Sequence, residues 1–203
     1  MVLMKKEKLN KLLTKVFLKH KLSKTHAKIC SDALVNAELV GATGHGVSRL
    51  KMYCDRIRKK LINPKPKFKF KKISQSIMQI DADDSIGFVA ADIGIKKAIE
   101  SAKKTGIGLV GIKRSGHYGL SGYYAEQAVK KNLLTLIFTN APPAIAPHGA
   151  LKTLFGTNPI CFGTPTSSKV PFILDTSVSM INRGKIRAVS YTHLRAHETQ
   201  TNL

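Results

Sequence analysis

Apolar residues in the first sixty positions recur at helical spacing. Leu9, Leu12, Leu13, Val16 and Phe17 share one face of residues 5–19, which predicts an amphipathic helix. A second helix is predicted from Ser23 or Thr25, with Ala27, Cys30, Leu34 and Ala37 on one face and Gly41 closing it. Leu50, Tyr53, Ile57 and Leu61 continue the pattern until Asn63-Pro64 ends it. From Ile77 to Asp81 the pattern turns to that of a strand, and Asp83-Asp84-Ser85 reads as a turn with capping potential. Residues 87–105 predict a helix with Ala91, Ile95, Ala98, Ile99 and Ala102 inward, closed by Gly106. Ile107 to Lys113 is a short apolar run of the kind found in buried strands. Residues 121–131 predict a helix with Tyr124 and Ala128 on one face. Leu133 to Phe138 and Val170 to Leu174 predict strands, with proline- and glycine-rich loop between them. The order strand, loop, helix, strand over 107–138 suggests a βαβ unit, and ligands gather at the C-terminal ends of such strands. His117 and Thr139-Asn140 occupy two such ends.

The pattern divides the chain into a mainly helical region, 1–72, and an α/β region, 73–187. The length of 203 residues and 43% hydrophobic content fit a folded domain with a real core. No apolar run reaches membrane-spanning length, and the N-terminus lacks the apolar segment of a signal peptide. Three widely spaced cysteines, Cys30, Cys54 and Cys161, argue for free thiols in a reducing cytoplasm and against a disulfide framework or zinc site.

Charge complicates this picture. The chain carries 34 Lys/Arg against 12 Asp/Glu, and residues 1–72 hold 20 of the former and 4 of the latter. Such a balance raises nucleic acid as a partner. Most of these lysines, however, are scattered along helix faces. The one concentrated block, Pro64 to Lys72, alternates Lys with Phe68 and Phe70. It reads either as a base-stacking platform or as an edge strand guarded by lysine. We weigh nucleic acid as a rival partner and rank it second.

The candidate chemistry sits in glycine-rich loops. In Gly41-Ala42-Thr43-Gly44-His45-Gly46-Val47-Ser48-Arg49-Leu50, two glycines bracket a histidine and an arginine opens the next helix. Gly44 and Gly46 let a ligand approach the backbone, His45 exchanges a proton near neutral pH, and Arg49 matches a carboxylate. A solvated turn with a surface arginine is the plain alternative. A second loop, Arg114-Ser115-Gly116-His117-Tyr118-Gly119, brackets His117. Asp175-Thr176-Ser177 offers an acid and two hydroxyls at a strand end, able to hold a ribose or an amide, or to cap a helix. Gly106 to Gly111 matches G-x-G-x-x-G, but it follows a helix and enters a strand, the reverse of a dinucleotide fingerprint. His193 and His197, spaced i, i+4, are not taken as metal ligands, and no metal is expected.

Together, Gly41–Leu50, Gly106–Gly122, Thr139–Gly149, Gly156–Ile160 and Asp175 through Gly184-Lys185 resemble the malate/L-lactate dehydrogenase family that is unrelated to Rossmann enzymes. That family includes ureidoglycolate and sulfolactate dehydrogenases, diketogulonate reductases and cyclic-imine reductases. The resemblance implies a non-Rossmann mixed-sheet α/β fold with a helical N-terminal region, NAD or NADP as cofactor, a small 2-hydroxy or 2-oxo acid as substrate, and a homodimer in the full-length protein. By position, His45 resembles the catalytic acid/base and His117 the second active-site histidine. Arg49 resembles the substrate-carboxylate arginine, with Thr157 and Asn158 also substrate-binding. Thr139, Asn140, Asp175, Thr176 and Ser177 match cofactor-binding positions. Gly44 stands where the family often has serine, and His148 and Ala150 where an aromatic and a glycine are common. After Arg187 the string Ala188 to Thr199 resembles translated sequencing-adapter read-through, so 188–203 is expected to be non-native. The alternatives to the dehydrogenase are a basic nucleic-acid-binding module or an inactive truncated fragment of the enzyme.

Overall fold

The computed structural model describes residues 4–179. The expectations for 188–203, and for the Gly184-Lys185 match, fall outside them.

The N-terminal helices form as the spacing requires. Helix α1 spans Lys6–Lys19 and α2 spans Lys24–Leu39. Ser23 caps α2 by accepting the His26 N–H at 3.1 Å. Leu13 and Phe17 of α1 are buried with Ala27, Cys30 and Leu34 of α2. Leu12, expected on that stripe, is half exposed, because the buried face is narrower than the apolar one. Two 3₁₀ turns, Thr43–His45 and Val47–Arg49, lead into α3, Leu50–Arg58. The third helix stops earlier than Asn63-Pro64. Lys60 adopts a left-handed conformation (φ 58°), its N–H reaches Ile57 O and the Leu61 N–H reaches Arg56 O. That is a Schellman ending with lysine where glycine is usual. Leu61 therefore lies off the helix and is exposed, while Ile62 is buried in its place.

Strands β1 (Lys69–Lys72), β2 (Ile77–Ser85) and β3 (Leu109–Ser115) form the first sheet. β1 runs antiparallel to β2, pairing Phe70 with Ile80, and β2 runs parallel to β3, pairing Ile80 with Ile112. Helix α4, Gly87–Thr105, makes the crossover between the parallel strands. The Lys/Phe block is thus an edge strand, but Phe70 points out and is 51% exposed, whereas Phe68 packs against the core. Asp83-Asp84-Ser85 is no turn. It stays within β2 as an irregular step, with Asp83 and Asp84 at φ 51° and 56°. Arg114 holds the step together through Asp81, Asp83 and Asp84. β3 is exposed along most of its length, not buried, because it is the other edge of a three-stranded sheet. α4 buries its first turns, Gly87 to Ala90, with Asp92 and Gly94, while Ala91, Ile95, Ala98, Ile99 and Ala102 are only half-buried beside that edge.

The second sheet contains β4 (Thr135–Phe138), β5 (Ile160–Thr164) and β6 (Phe172–Thr176), all antiparallel neighbours in that order. The βαβ unit expected over 107–138 does not form, since β3 and β4 belong to different sheets; the true unit is β2–α4–β3. Helix α5, Gly122–Val129, packs on one face of the second sheet. Gly163 of β5 allows this, for a Cβ there would lie 3.1–3.2 Å from Thr135, Val129 and Ala125. The other face carries Leu136, Phe138, Phe172 and Leu174, each roughly half exposed or more. The main core joins α1, α2 and α3 to the start of α4 through Phe17, Leu34, Tyr53, Ile57, Phe88 and Val89. Cys30, Cys54 and Cys161 are free and buried. No helix among the described residues is long and apolar enough to cross a membrane.

Candidate active site

The two histidine loops, 72 residues apart in sequence, meet face to face. The His45 and His117 rings stack with centroids 5.9 Å apart and planes 11° apart. His45 arrives on the first 3₁₀ turn, which Glu38 of α2 fixes by accepting the Val47 N–H at 2.6 Å. A Cβ on Gly46 would sit 2.1 Å from Glu38 Oε1, so a side chain there would displace the carboxylate that holds the Val47 N–H. Beside Gly44, by contrast, the space is open. Arg49 anchors its Nε on the Gly44 carbonyl at 2.7 Å. Its two terminal nitrogens make no hydrogen bond to protein among the described residues, and neither ring nitrogen of His45 does. A free proton donor and a free guanidinium fork thus lie within one turn of each other.

His117 is held from three sides. The Tyr53 hydroxyl lies 2.6 Å from its Nδ1, and the Gly119 N–H donates to the same nitrogen at 3.2 Å. Gly119 needs its left-handed φ of 82°, and a Cβ there would strike the Phe88 ring at 2.5 Å. From below, Gly87 presses on the loop backbone. Desolvation lowers the His117 pKa to about 4, with His45, Arg49 and Arg56 adding to the effect. The residue as a whole is nonetheless exposed to solvent. His45 is lowered too, first by desolvation and then by Arg49, while Asp175 pulls the other way.

The second sheet brings the remaining predicted residues to one end. β4 and β6 both run antiparallel to β5, so Phe138, Ile160 and Thr176 align in register. Thr139-Asn140, Thr157-Asn158 and Ser177 therefore emerge at the same sheet end. Asn158 Oδ1 accepts the Ala141 N–H at 2.8 Å, and Thr157 O accepts the Val178 N–H at 3.1 Å. Asp175 and Thr176 belong to β6 itself, which runs two residues past the strand end at Leu174 that the sequence suggests. The Asp175 carboxylate accepts the Gly122 N–H at 2.7 Å, satisfying the first turn of α5 from a different element. It thereby ties the second sheet to the segment that follows His117.

Sequence reasoning missed Tyr53, Glu38 and Gly87. Tyr53 was visible only as one position of an apolar helical stripe; its hydroxyl, four residues after Arg49 on the same face, was the available signal. A separate cavity of about 660 Å³ lies between α2, α4 and α5, but it contains none of these groups. Its Asp32, Asp92 and Glu126 are each paired with a lysine. Among the described residues, no cluster of three or more His, Cys, Asp or Glu could hold a metal.

Among the described residues, two stacked histidines and an arginine fork stand on a helix-flanked α/β fold whose sheets are not doubly wound. The chain belongs to the malate/L-lactate dehydrogenase family, which it matches over residues 4–198. It is 39% identical over 181 residues to a malate dehydrogenase of Pyrococcus abyssi, covering 89% of this chain and 50% of the relative. It is 34% identical to a (2R)-3-sulfolactate dehydrogenase (NADP(+)) of Chromohalobacter salexigens, covering 79% and 48%. A ureidoglycolate dehydrogenase (NAD(+)) of Escherichia coli O157:H7 is 30% identical, covering 89% and 52%. Among solved structures, malate dehydrogenase from Pyrococcus horikoshii OT3 superposes with a TM-score of 0.87 at 38% identity, covering 91% of this chain and 53% of that one. The chain spans about half the length of the curated relatives it matches.

Proposed function

We propose that residues 4–179 build the substrate-handling part of an NAD(P)-dependent oxidoreductase acting on a small 2-hydroxy or 2-oxo acid. The stacked His45–His117 pair beside the free fork of Arg49 carries this reading. Arg49 grips the substrate carboxylate in bidentate fashion, with its Nε already committed to Gly44 so that only the fork turns outward. That contact fixes C2 over the acid/base. In the reducing direction, protonated His45 donates to the oxygen developing on C2; desolvation and Arg49 lower its pKa, which strengthens the imidazolium as an acid while reducing its share near neutral pH. His117 adds a hydrogen bond to the same oxygen.

The residues present fit a dinucleotide. Hydroxyls and amides of Thr139, Asn140, Thr176 and Ser177 stand together at one sheet end, suited to ribose hydroxyls and a carboxamide, with Thr157 and Asn158 of the substrate side beside them. When bound, the nicotinamide supplies or accepts the hydride. The substrates named for the relatives (malate, sulfolactate, ureidoglycolate) share a carboxylate next to a hydroxyl carbon, which is what Arg49 and His45 are spaced to read. The buried free thiols support a cytoplasmic setting, and the family resemblance supports a homodimer.

The test is oxidation of NADH and NADPH by the chain with the 2-oxo counterparts of malate, lactate, sulfolactate and ureidoglycolate. Turnover with any pair supports the reading. His45→Ala should then lower kcat by roughly 10²–10⁴, and Arg49→Lys should chiefly raise KM. No turnover and no dinucleotide binding, together with a salt-sensitive gel shift on generic DNA, would favour the basic-module rival. No response in any assay would leave an inactive fragment.

A further inference from the structure

We propose that Tyr53 is the positioning residue of this site: its phenol donates to His117 Nδ1, holding His117 as a neutral Nε2–H hydrogen-bond donor and leaving proton exchange to His45. The division of labour between the histidines rests on the dehydrogenase reading; the placement of the proton does not.

The argument begins at Nδ1. A backbone N–H can only donate, so the Gly119 contact at 3.2 Å makes Nδ1 an acceptor. Nδ1 has one lone pair and, as an acceptor, no proton. The Tyr53 hydroxyl at 2.6 Å must therefore donate to it. Tyr53 can do this because it stays protonated: its residue is 1% exposed, burial pushes the phenol pKa well up, and its ring rests on Phe88 at 4.8 Å. The hydroxyl has no other hydrogen-bond partner among the described residues, and a buried phenol without one would be costly.

The only proton of neutral His117 then sits on Nε2. The charged groups around the ring, His45, Arg49 and Arg56, are all potential cations. A second proton on His117 would face all three. His117 can thus give a hydrogen bond but cannot take a proton near neutral pH. His45, stacked on it at 5.9 Å with no hydrogen bond to its ring nitrogens among the described residues, is the group left to exchange one. A donor and an exchanger side by side let a substrate oxygen receive two hydrogen bonds while only one of them is transferred.

The experiment is nitrogen-15 NMR of the full chain labelled at histidine, with His117 assigned through His117→Gln and spectra taken from about pH 3 to 8, a range that brackets its midpoint of about 4. His117 should show the Nε2–H pattern above that midpoint. In Tyr53→Phe, which keeps the packed ring, His117 should become a mixture of tautomers and its titration midpoint should rise by about one pH unit. Labelling all tyrosines with 3-fluorotyrosine strengthens the phenols as donors without altering packing. It should shift Nδ1 of His117 and leave the other described histidines in place, since among the described residues only Tyr53 donates a phenol hydrogen bond to an imidazole. A proton on Nδ1 in the unsubstituted chain near neutral pH, or a His117 Nδ1 signal indifferent to fluorination, would overturn the proposal. Titrating oxaloacetate and NADH into the same sample separates the two ideas: no response there counts against the dehydrogenase and leaves the tautomer result standing.

Discussion

A methyl group on Gly87 would lie 2.1 Å from the Gly116 carbonyl oxygen and 2.5 Å from the backbone of His117. Both clashes are with backbone, which cannot swing aside as a side chain can. Gly87→Ala should therefore destabilise the fold by about 1–3 kcal/mol and loosen the His117 loop, with urea unfolding as the measure. A change confined to a few tenths would mean that the loop does not rest on α4. The same loop sets a pH dependence. His117 has a folded pKa of about 4 against an ordinary value of 6.5, so the unfolded chain binds its proton first as pH falls. Its contribution to stability is complete above pH 6.5 and is lost progressively toward pH 4; His26 and His45, also lowered, act with the same sign. His117→Gln should flatten that part of the stability curve, and a curve unchanged by the substitution would place the ring in ordinary solvent. His45, Arg49 and His117 were legible in the sequence because glycines isolate each histidine in a loop where an apolar stripe cannot explain it. Tyr53 and Gly87 were not, since each sits inside a helical pattern that packing alone accounts for.

Helix and strand positions were largely legible, because periodicity reports which face is buried. Pairing was not. Ile107–Lys113 and Leu133–Phe138 look like consecutive strands of one sheet, yet β3 pairs with β2 and β4 with β5. A run of apolar residues does not name its neighbour, and register is decided by burial against distant elements. Asp175 illustrates this. Local reading offered it a cap on a helix of its own segment, whereas it serves α5, 53 residues away. Asp175→Ala should cost about 1–2 kcal/mol and weaken the seam between β6 and α5; Asp175→Asn, which keeps an accepting oxygen, should cost less. Equal losses would show that charge and not the hydrogen bond matters. The end of α3 points the other way. Lys60 holds a left-handed conformation that glycine adopts freely, so Lys60→Gly should stabilise the chain by about 0.5–1 kcal/mol. A destabilised variant would show that the lysine stem contributes packing that outweighs its backbone strain.

For the whole molecule, the outer face of the second sheet is the dominant liability. Leu136, Phe138, Phe172 and Leu174 present a contiguous apolar surface, and among the described residues β4 and β6 are the edges of their sheet. The chain should bind a hydrophobic dye in the folded state and aggregate despite its high positive charge. Leu136→Thr with Leu174→Thr should reduce both without lowering the unfolding midpoint, and dye binding that persists unchanged would locate the sticky surface elsewhere. The division of the site between elements has a different consequence. His45, Arg49 and Tyr53 ride on one uninterrupted stretch, Thr43–Arg58, while His117 and the polar sheet end come from the other half of the molecule. On the proposed reading, the residues that grip and protonate the acid lie on that one stretch, while Thr157-Asn158 and the groups proposed to hold the dinucleotide lie apart from it. On the same reading, exchanging that stretch alone alters how the acid is gripped and leaves the polar sheet end untouched. A chimera carrying a relative's version of 43–58 would adopt that relative's substrate order.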